Sequence, residues 1–280
     1  MARSRLCSTT SVPMMRISSK PDITQSIPLA SRCPKFSRAN RPCRGPRALG
    51  ACSRRAYADL VTRPAACLID VYETILSCDF SRHNGEMPAL AGVTPDAWRA
   101  GIWRVGPLFN LGRLTKAEGF AQILRECGVE PQAGVVRALV EMDRELLLAS
   151  AHLFHDSVPF LENLRSHGVG AAIVSNCSEH TRDLLVKLGV PELVDAVVLS
   201  CEVGAAKPSA EIFRHALEQL GVPAGAALFV DDQAAFCAGA VALGISAAQI
   251  VRGDGDDGKV PAAGTTIVRS LPEVEAMLWA

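Results

Sequence analysis

The chain has 280 residues, about half of them apolar (49%), enough to bury the core of one large domain or two modest ones. Its formal net charge is zero, and its apolar runs fall far short of the roughly 20 residues that a membrane-spanning helix needs, so the reading is a cytoplasmic protein with no membrane partner. Beyond residue 57 the cysteines (Cys67, Cys78, Cys127, Cys177, Cys201 and Cys237) stand among apolar neighbours with no C-x-x-C pair, which argues for reduced core thiols over disulfides or zinc.

The zero charge hides an asymmetry. Residues 1–57 hold twelve of the 29 basic residues and one of the 29 acidic ones, Asp22, and are rich in Ser and Pro without a helical or strand period. Such a segment cannot bury enough surface to fold and is expected to be disordered. A transit peptide, which would place the protein in an organelle, shares this composition with a non-native extension or a basic tail. The scarcity of aromatic residues argues against a nucleic-acid arm.

From residue 66 the chain alternates short apolar runs with amphipathic stretches, the pattern of a parallel sheet covered by helices on both faces. The expected strands are "ACLID", "GAAIVS", "DAVVLS", "AALFVD" and "TTIVRS". After the first of them the alternation is broken by "PDAWRAGIWRVG", "TKAEGFAQILRECG" and "PQAGVVRALVEMDRELLLASA", all at helical period, which predicts an inserted helical subdomain. The division is 58–80 and 155–280 for a Rossmann-like core and 81–154 for the insert. In the insert, His83 reads as a polar loop residue and Trp98 and Trp103 as packing. Further on, Ser178 and Ser209 are expected N-caps, and Gly189 and Gly221 close their helices. "RGDGDDGK" reads as an acidic surface loop.

The expected fold is therefore α/β, a doubly wound parallel sheet with helices inserted after strand one, over the carboxyl edge where such sheets place ligands. Asp70 ends the first strand, Ser175 and Asn176 the second, Asp231 and Asp232 the fourth, and Lys207 follows the third. Each alone is ordinary loop chemistry. Three carboxylates and a lysine on one edge repel unless a cation or an anionic ligand is held there.

In order, "LIDVYETIL", "IVSNCS", "GAAKPSAEIF" and "LFVDDQAAFCAGAVALGI" resemble the four motifs of the haloacid dehalogenase superfamily of hydrolases, over about residues 66–250, and the helical insert is similar to that family's cap domain. The resemblance implies Asp70 as nucleophile, Thr74, Ser175 and Asn176 as contacts of the transferred group, and Lys207 as its counter-charge. It further implies Mg2+ held by Asp70, Asp231, Asp232 and a main-chain carbonyl near Tyr72, acting on a small-molecule substrate. The oligomeric state is left open.

Tyr72 departs from that pattern, because most phosphatases of the superfamily carry there a second aspartate that serves as general acid and base, a service typically worth about 10²–10⁴ in rate. Asp-x-Tyr-x-Thr resembles the haloacid dehalogenases themselves, and Arg99 would then be the halide-binding arginine of the cap. Those enzymes carry Ser and Asn where this chain has Asp231 and Asp232. Glu73, where glycine is usual, reads either as a displaced acid and base or as a solvent-facing loop residue. Phe236 is a further departure, standing where Asp or Asn is common. The reading is a magnesium-dependent phosphatase acting through an aspartyl-phosphate. The alternatives are a 2-haloacid dehalogenase-type hydrolase and a catalytically weak member that binds a ligand.

Overall fold

A computed structural model describes residues 63–253 and 261–280. The expectations for residues 1–57 and for most of "RGDGDDGK" lie outside the described residues. In chain order the elements are β1 (Ala66–Ile69), β2 (Leu76–Cys78), α1 (Ser81–Ala91), α2 (Pro95–Asn110), α3 (Lys116–Glu126), α4 (Ala133–Ser150), β3 (Ala151–Leu153), α5 (Ser157–Ser166), β4 (Gly170–Ser175), α6 (Thr181–Lys187), β5 (Ala196–Leu199), α7 (Ser200–Val203), α8 (Ala210–Leu220), β6 (Ala227–Asp231), α9 (Ala234–Ala242), β7 (Ser246–Ile250), β8 (Thr265–Val268) and α10 (Leu271–Trp279).

Six strands form one sheet in the order β5-β4-β1-β6-β7-β8, and every pairing is parallel. The expected doubly wound α/β sheet is thus present, with β1 at its centre. The strands read as near-continuous apolar runs because both faces are covered. On β1, Cys67 and Ile69 enter one core cluster and Ala66 and Leu68 the other. Successive connections run outward from β1 to β4 and β5, then return to its other side at β6. This places the topological switch point, and so the ligand crevice, at the carboxyl end of β1.

Helices α1 to α4 pack around a cluster of their own that includes Met87, Trp98, Phe109, Phe120, Ile123 and Leu139. Thr94 caps α2, and Thr115 caps α3 through a capping box with Glu118. The chain leaves the central sheet through β2 and returns through β3, which pair antiparallel as a two-stranded ribbon. That ribbon was not legible in the sequence, since three-residue strands carry almost no period. Gly112, at φ 61°, lets the α2–α3 turn press on the sheet unit, because a Cβ there would lie 2.0 Å from the Cys201 carbonyl oxygen.

Three expectations are corrected, and one strand was not foreseen. "SRHNGEMPALA" is helix α1 despite its Gly85 and Pro88, so His83 sits in a helix and not in a loop. "SAAQI" is strand β7, buried at four of its five positions although it lacks β-branched bulk before Ile250. Helix α6 begins at Thr181 with His180 as N-cap, and Ser178 contributes only its carbonyl, to the Thr181 N–H. Trp98 is buried against Phe120 as expected, whereas Trp103 is 78% exposed. Ser209 does cap α8, and Gly221 closes it at φ 67°. No helix among the described residues is long and apolar enough to cross a membrane. The six cysteines named above are free thiols.

Candidate active site

At the carboxyl end of β1 the buried Lys207 ammonium lies 2.5 Å from Asp70 Oδ1 and 2.6 Å from Asp231 Oδ2. The sequence separations are 137 and 24 residues, so the sheet order brings these groups together. Burial alone would lower the Lys207 pKa, but the two carboxylates hold it above the ordinary lysine value. Burial, followed by the charge of Asp70, pushes the Asp231 carboxyl up to about 7 against the pull of Lys207. The rings of Phe229 and Phe236 cover the ammonium at 5.4 and 5.1 Å, which gives Phe236 a packing role.

The Lys207 main chain is held from two sides. Asn176 Nδ2 donates to the Lys207 carbonyl at 2.9 Å, and the Lys207 N–H donates to Asn176 Oδ1 at 2.7 Å. The nitrogen and the oxygen of the Asn176 side-chain amide are therefore both engaged in positioning the lysine. Behind the segment, Gly239 of α9 lies so close that a Cβ would meet Pro208 at 2.7 Å, an approach open only to glycine.

Ser175 ends β4 fully buried, and its hydroxyl has no hydrogen-bond partner. Buried hydroxyls are rarely left so, and a substrate oxygen would supply the partner. Thr74 Oγ1 donates a long hydrogen bond, 3.4 Å, to Asp70 Oδ2. The Thr74 carbonyl accepts from Arg252 Nε and Nη2 at 2.9 and 2.6 Å, and Arg252 also donates to Asp156 Oδ2 at 3.2 Å. Arg252 thus anchors the loop after Asp70 from 178 residues away, and no local signal singled it out.

Tyr72 Oη lies 2.9 Å from Thr181 Oγ1, and burial raises its pKa above the usual tyrosine value. It is a neutral hydroxyl at physiological pH. Glu73 is exposed, accepts from Ser77 Oγ at 3.3 Å, and sits at φ 55°, in the left-handed region. That backbone explains why glycine suits the position. Glu73→Gly should relieve the strain and raise stability by about 1 kcal/mol, or roughly 2–4 °C in Tm for a protein of this size; an unchanged or lower midpoint in thermal denaturation would contradict this. Arg99 is paired with Asp96 on the exposed side of α2; it lines a cavity of the helical unit and is absent from the adjoining pocket that Tyr72 and Asn176 line.

Asp70, Asp231 and Asp232 each offer a carboxylate oxygen, all within 4.8 Å of one another. With Lys207 they carry a formal charge of −2 when ionised. Three hard oxygen donors with that charge fit a divalent cation of the magnesium class.

The comparisons agree with this geometry. A model of the haloacid dehalogenase-like hydrolase family matches residues 64–244. A protein named as a phosphatase from Mycobacterium tuberculosis is 28% identical over 219 residues, covering 76% of this chain and 96% of that one. A glyceraldehyde 3-phosphate phosphatase from Methanopyrus kandleri is 31% identical over 115 residues, 41% of this chain, and this match spans only about half (49%) of the relative. Among solved structures, a phosphatase of the same superfamily from Thermococcus onnurineus superposes with a TM-score of 0.56 at 26% identity, over 76% of this chain and 97% of that one. The L-2-haloacid dehalogenase of Xanthobacter autotrophicus, at 19% identity and a TM-score of 0.54 over 77% and 98%, shares the fold. With a family model matching residues 64–244, four motifs in order and their acidic residues gathered at the switch point of a parallel sheet, the chain belongs to the haloacid dehalogenase-like hydrolases.

Proposed function

We propose that the protein is a phosphatase that hydrolyses a small phosphate monoester through an aspartyl-phosphate on Asp70, with Mg2+ as cofactor. The observation that carries the reading is the buried Asp70–Lys207–Asp231 array with Asp232 beside it, a charge pattern with little use in a metal-free dehalogenase. The phosphatase names of the mycobacterial and archaeal relatives support it.

In this reading an Asp70 oxygen attacks phosphorus and the ester P–O bond breaks, its electron pair leaving on the alcohol oxygen. Water then hydrolyses the acyl phosphate, which releases inorganic phosphate and regenerates Asp70. Lys207 offsets the charge of the carboxylate and the incoming phosphate, Ser175 donates to the transferred group, and Asn176 keeps Lys207 in place. Thr74 orients the carboxylate. Asp70, Asp231, Asp232 and the main-chain carbonyl of Tyr72 would hold Mg2+, which when bound supplies charge that screens nucleophile from phosphate.

Tyr72 supplies neither a proton nor a base at neutral pH, so leaving groups that are stable as anions should be favoured. Activity should depend steeply on leaving-group pKa, with aryl and acyl phosphates far ahead of alkyl ones. Tyr72→Asp should raise turnover of alkyl phosphates by up to roughly 10². The deciding assay is a panel of phosphate esters and 2-haloacids with Mg2+ or with chelator. Phosphate release that disappears with chelator supports the reading; halide release that survives chelator overturns it in favour of the dehalogenase that Tyr72 otherwise suits.

A further inference from the structure

The helical unit holds a cavity of about 560 Å³, a size suited to a small organic ligand. Its walls are largely apolar, with Met87, Trp98, Ile102, Phe109 and Phe120 among them. Phe80, His83, Asn110, Lys116 and Asp143 line both this chamber and a second cavity of about 240 Å³ that reaches Tyr72 and Asn176, so the two adjoin along that wall. At their junction Lys116 Nζ lies 3.0 Å from Asp143 Oδ2 and over the rings of Phe109 and Phe120 at 5.0 and 5.6 Å. Asp143 also accepts from His180 Nδ1 at 3.0 Å. The chemistry at Asp70 uses none of these groups.

We infer that this chamber receives the organic part of the substrate, and that the substrate is the phosphate ester of an aromatic alcohol carrying an oxygen acceptor for Lys116. The inference rests on the phosphatase reading and extends it to a substrate class. The walls favour an aromatic ring first, since Trp98, Phe109 and Phe120 offer apolar surface to a ring and no partner to the hydroxyls that a sugar or polyol would set against them, while polar groups gather on one side at His83, Asn110, Lys116 and Asp143. Lys116 is matched in charge by Asp143, yet an ammonium has three N–H donors, and among the described residues it is the Asp143 carboxylate that accepts from Nζ. It can therefore donate to a carbonyl, phenolic or carboxylate oxygen that enters the throat. The chemistry of the leaving group points the same way independently of the walls. With Tyr72 in place of an acid, the alcohol must leave as its anion, carrying the electron pair of the broken P–O bond and taking a proton from water afterwards; an aryl oxide does this far more readily than an alkoxide.

The test separates binding from turnover by using phosphonates, whose P–C bond is not cleaved. With the Mg2+-loaded protein, calorimetry should find benzylphosphonate bound about tenfold more tightly than methylphosphonate, or better, from burial of the ring. Gly106 of α2 lines the chamber, and a Cβ added there meets nothing within 4 Å. Gly106→Leu should fold, fill the chamber and erase that tenfold difference while the affinity for methylphosphonate stays. A 4-carboxyl on the benzyl ring should add affinity that Lys116→Gln removes. Equal affinities for benzyl- and methylphosphonate, a difference that survives Gly106→Leu, or a carboxyl effect indifferent to Lys116→Gln would overturn the inference. Should the ring bind as stated while no aryl phosphate is hydrolysed, the phosphatase reading falls and the chamber assignment stands.

Discussion

Asp70→Asn should leave a folded protein whose turnover of phosphate esters is lower by a factor on the order of 10⁴ or more, the scale on which a covalent nucleophile is missed. The amide is nearly the same shape as the carboxylate, keeps an oxygen toward Lys207, and cannot form an acyl phosphate. Its effect on stability should have the opposite sign. Asp70 is one of the groups that push the Asp231 carboxyl upward, and Lys207 retains Asp231 when Asp70 is neutral. Removing one of three close negative charges therefore leaves the thermal midpoint unchanged or raised, as is common where a site is built at the expense of the fold. Native protein quenched during turnover should carry a phosphoryl group on the peptide that contains Asp70, released by hydroxylamine. Activity within tenfold of the native protein would remove Asp70 from the nucleophile's role.

What could be seen of this site in the sequence follows from where its residues stand. Asp70 and Asp231 each close an apolar run, and a run of that kind marks both the strand and its carboxyl end, so the edge and its charges were legible together. Lys207 was placed by its position between the third expected strand and the helix after Ser209, although the structure adds the short helix α7 in that interval. The groups that hold these residues were not legible, because their partners lie elsewhere in the chain. Arg252 looks like the start of a charged loop until the fold sets it against the Thr74 carbonyl. Lys116 and Asp143 look like polar residues of two separate helices until α3 and α4 pack and they meet at the throat of the cavity. Asn176, read as a contact of the transferred group, turns both its amide atoms to the Lys207 main chain. Strand β7 escaped because its alanines carry no β signal, although burial by its neighbours is enough to recruit it.

Lys207→Ala tests the electrostatic frame of the site. The lysine side chain is 1% exposed and has one carboxylate on either side. Its removal leaves Asp70 and Asp231 facing each other in a buried setting, a change of the kind that costs about 3–5 kcal/mol. At roughly 2–4 °C per kcal/mol this predicts a fall in Tm on the order of 10 °C. Turnover should fall by about 10² or more, since the counter-charge to the phosphate is lost. Two further readings isolate charge from lost packing against Phe229 and Phe236. Lys207→Met keeps most of the stem and should lose nearly as much stability as the alanine variant. The deficit should also depend on pH: Asp231, already held up to about 7 by burial and Asp70, rises further without its lysine and is neutral at lower pH. A group whose pKa is raised in the folded state supports folding below that pKa and opposes it above, so the loss should be largest at alkaline pH and shrink on acidification. Mg2+ should restore part of the midpoint by replacing the missing positive charge. A deficit independent of pH and Mg2+, or a methionine variant as stable as the native protein, would show that Lys207 serves as packing and that the carboxylates are balanced by something else.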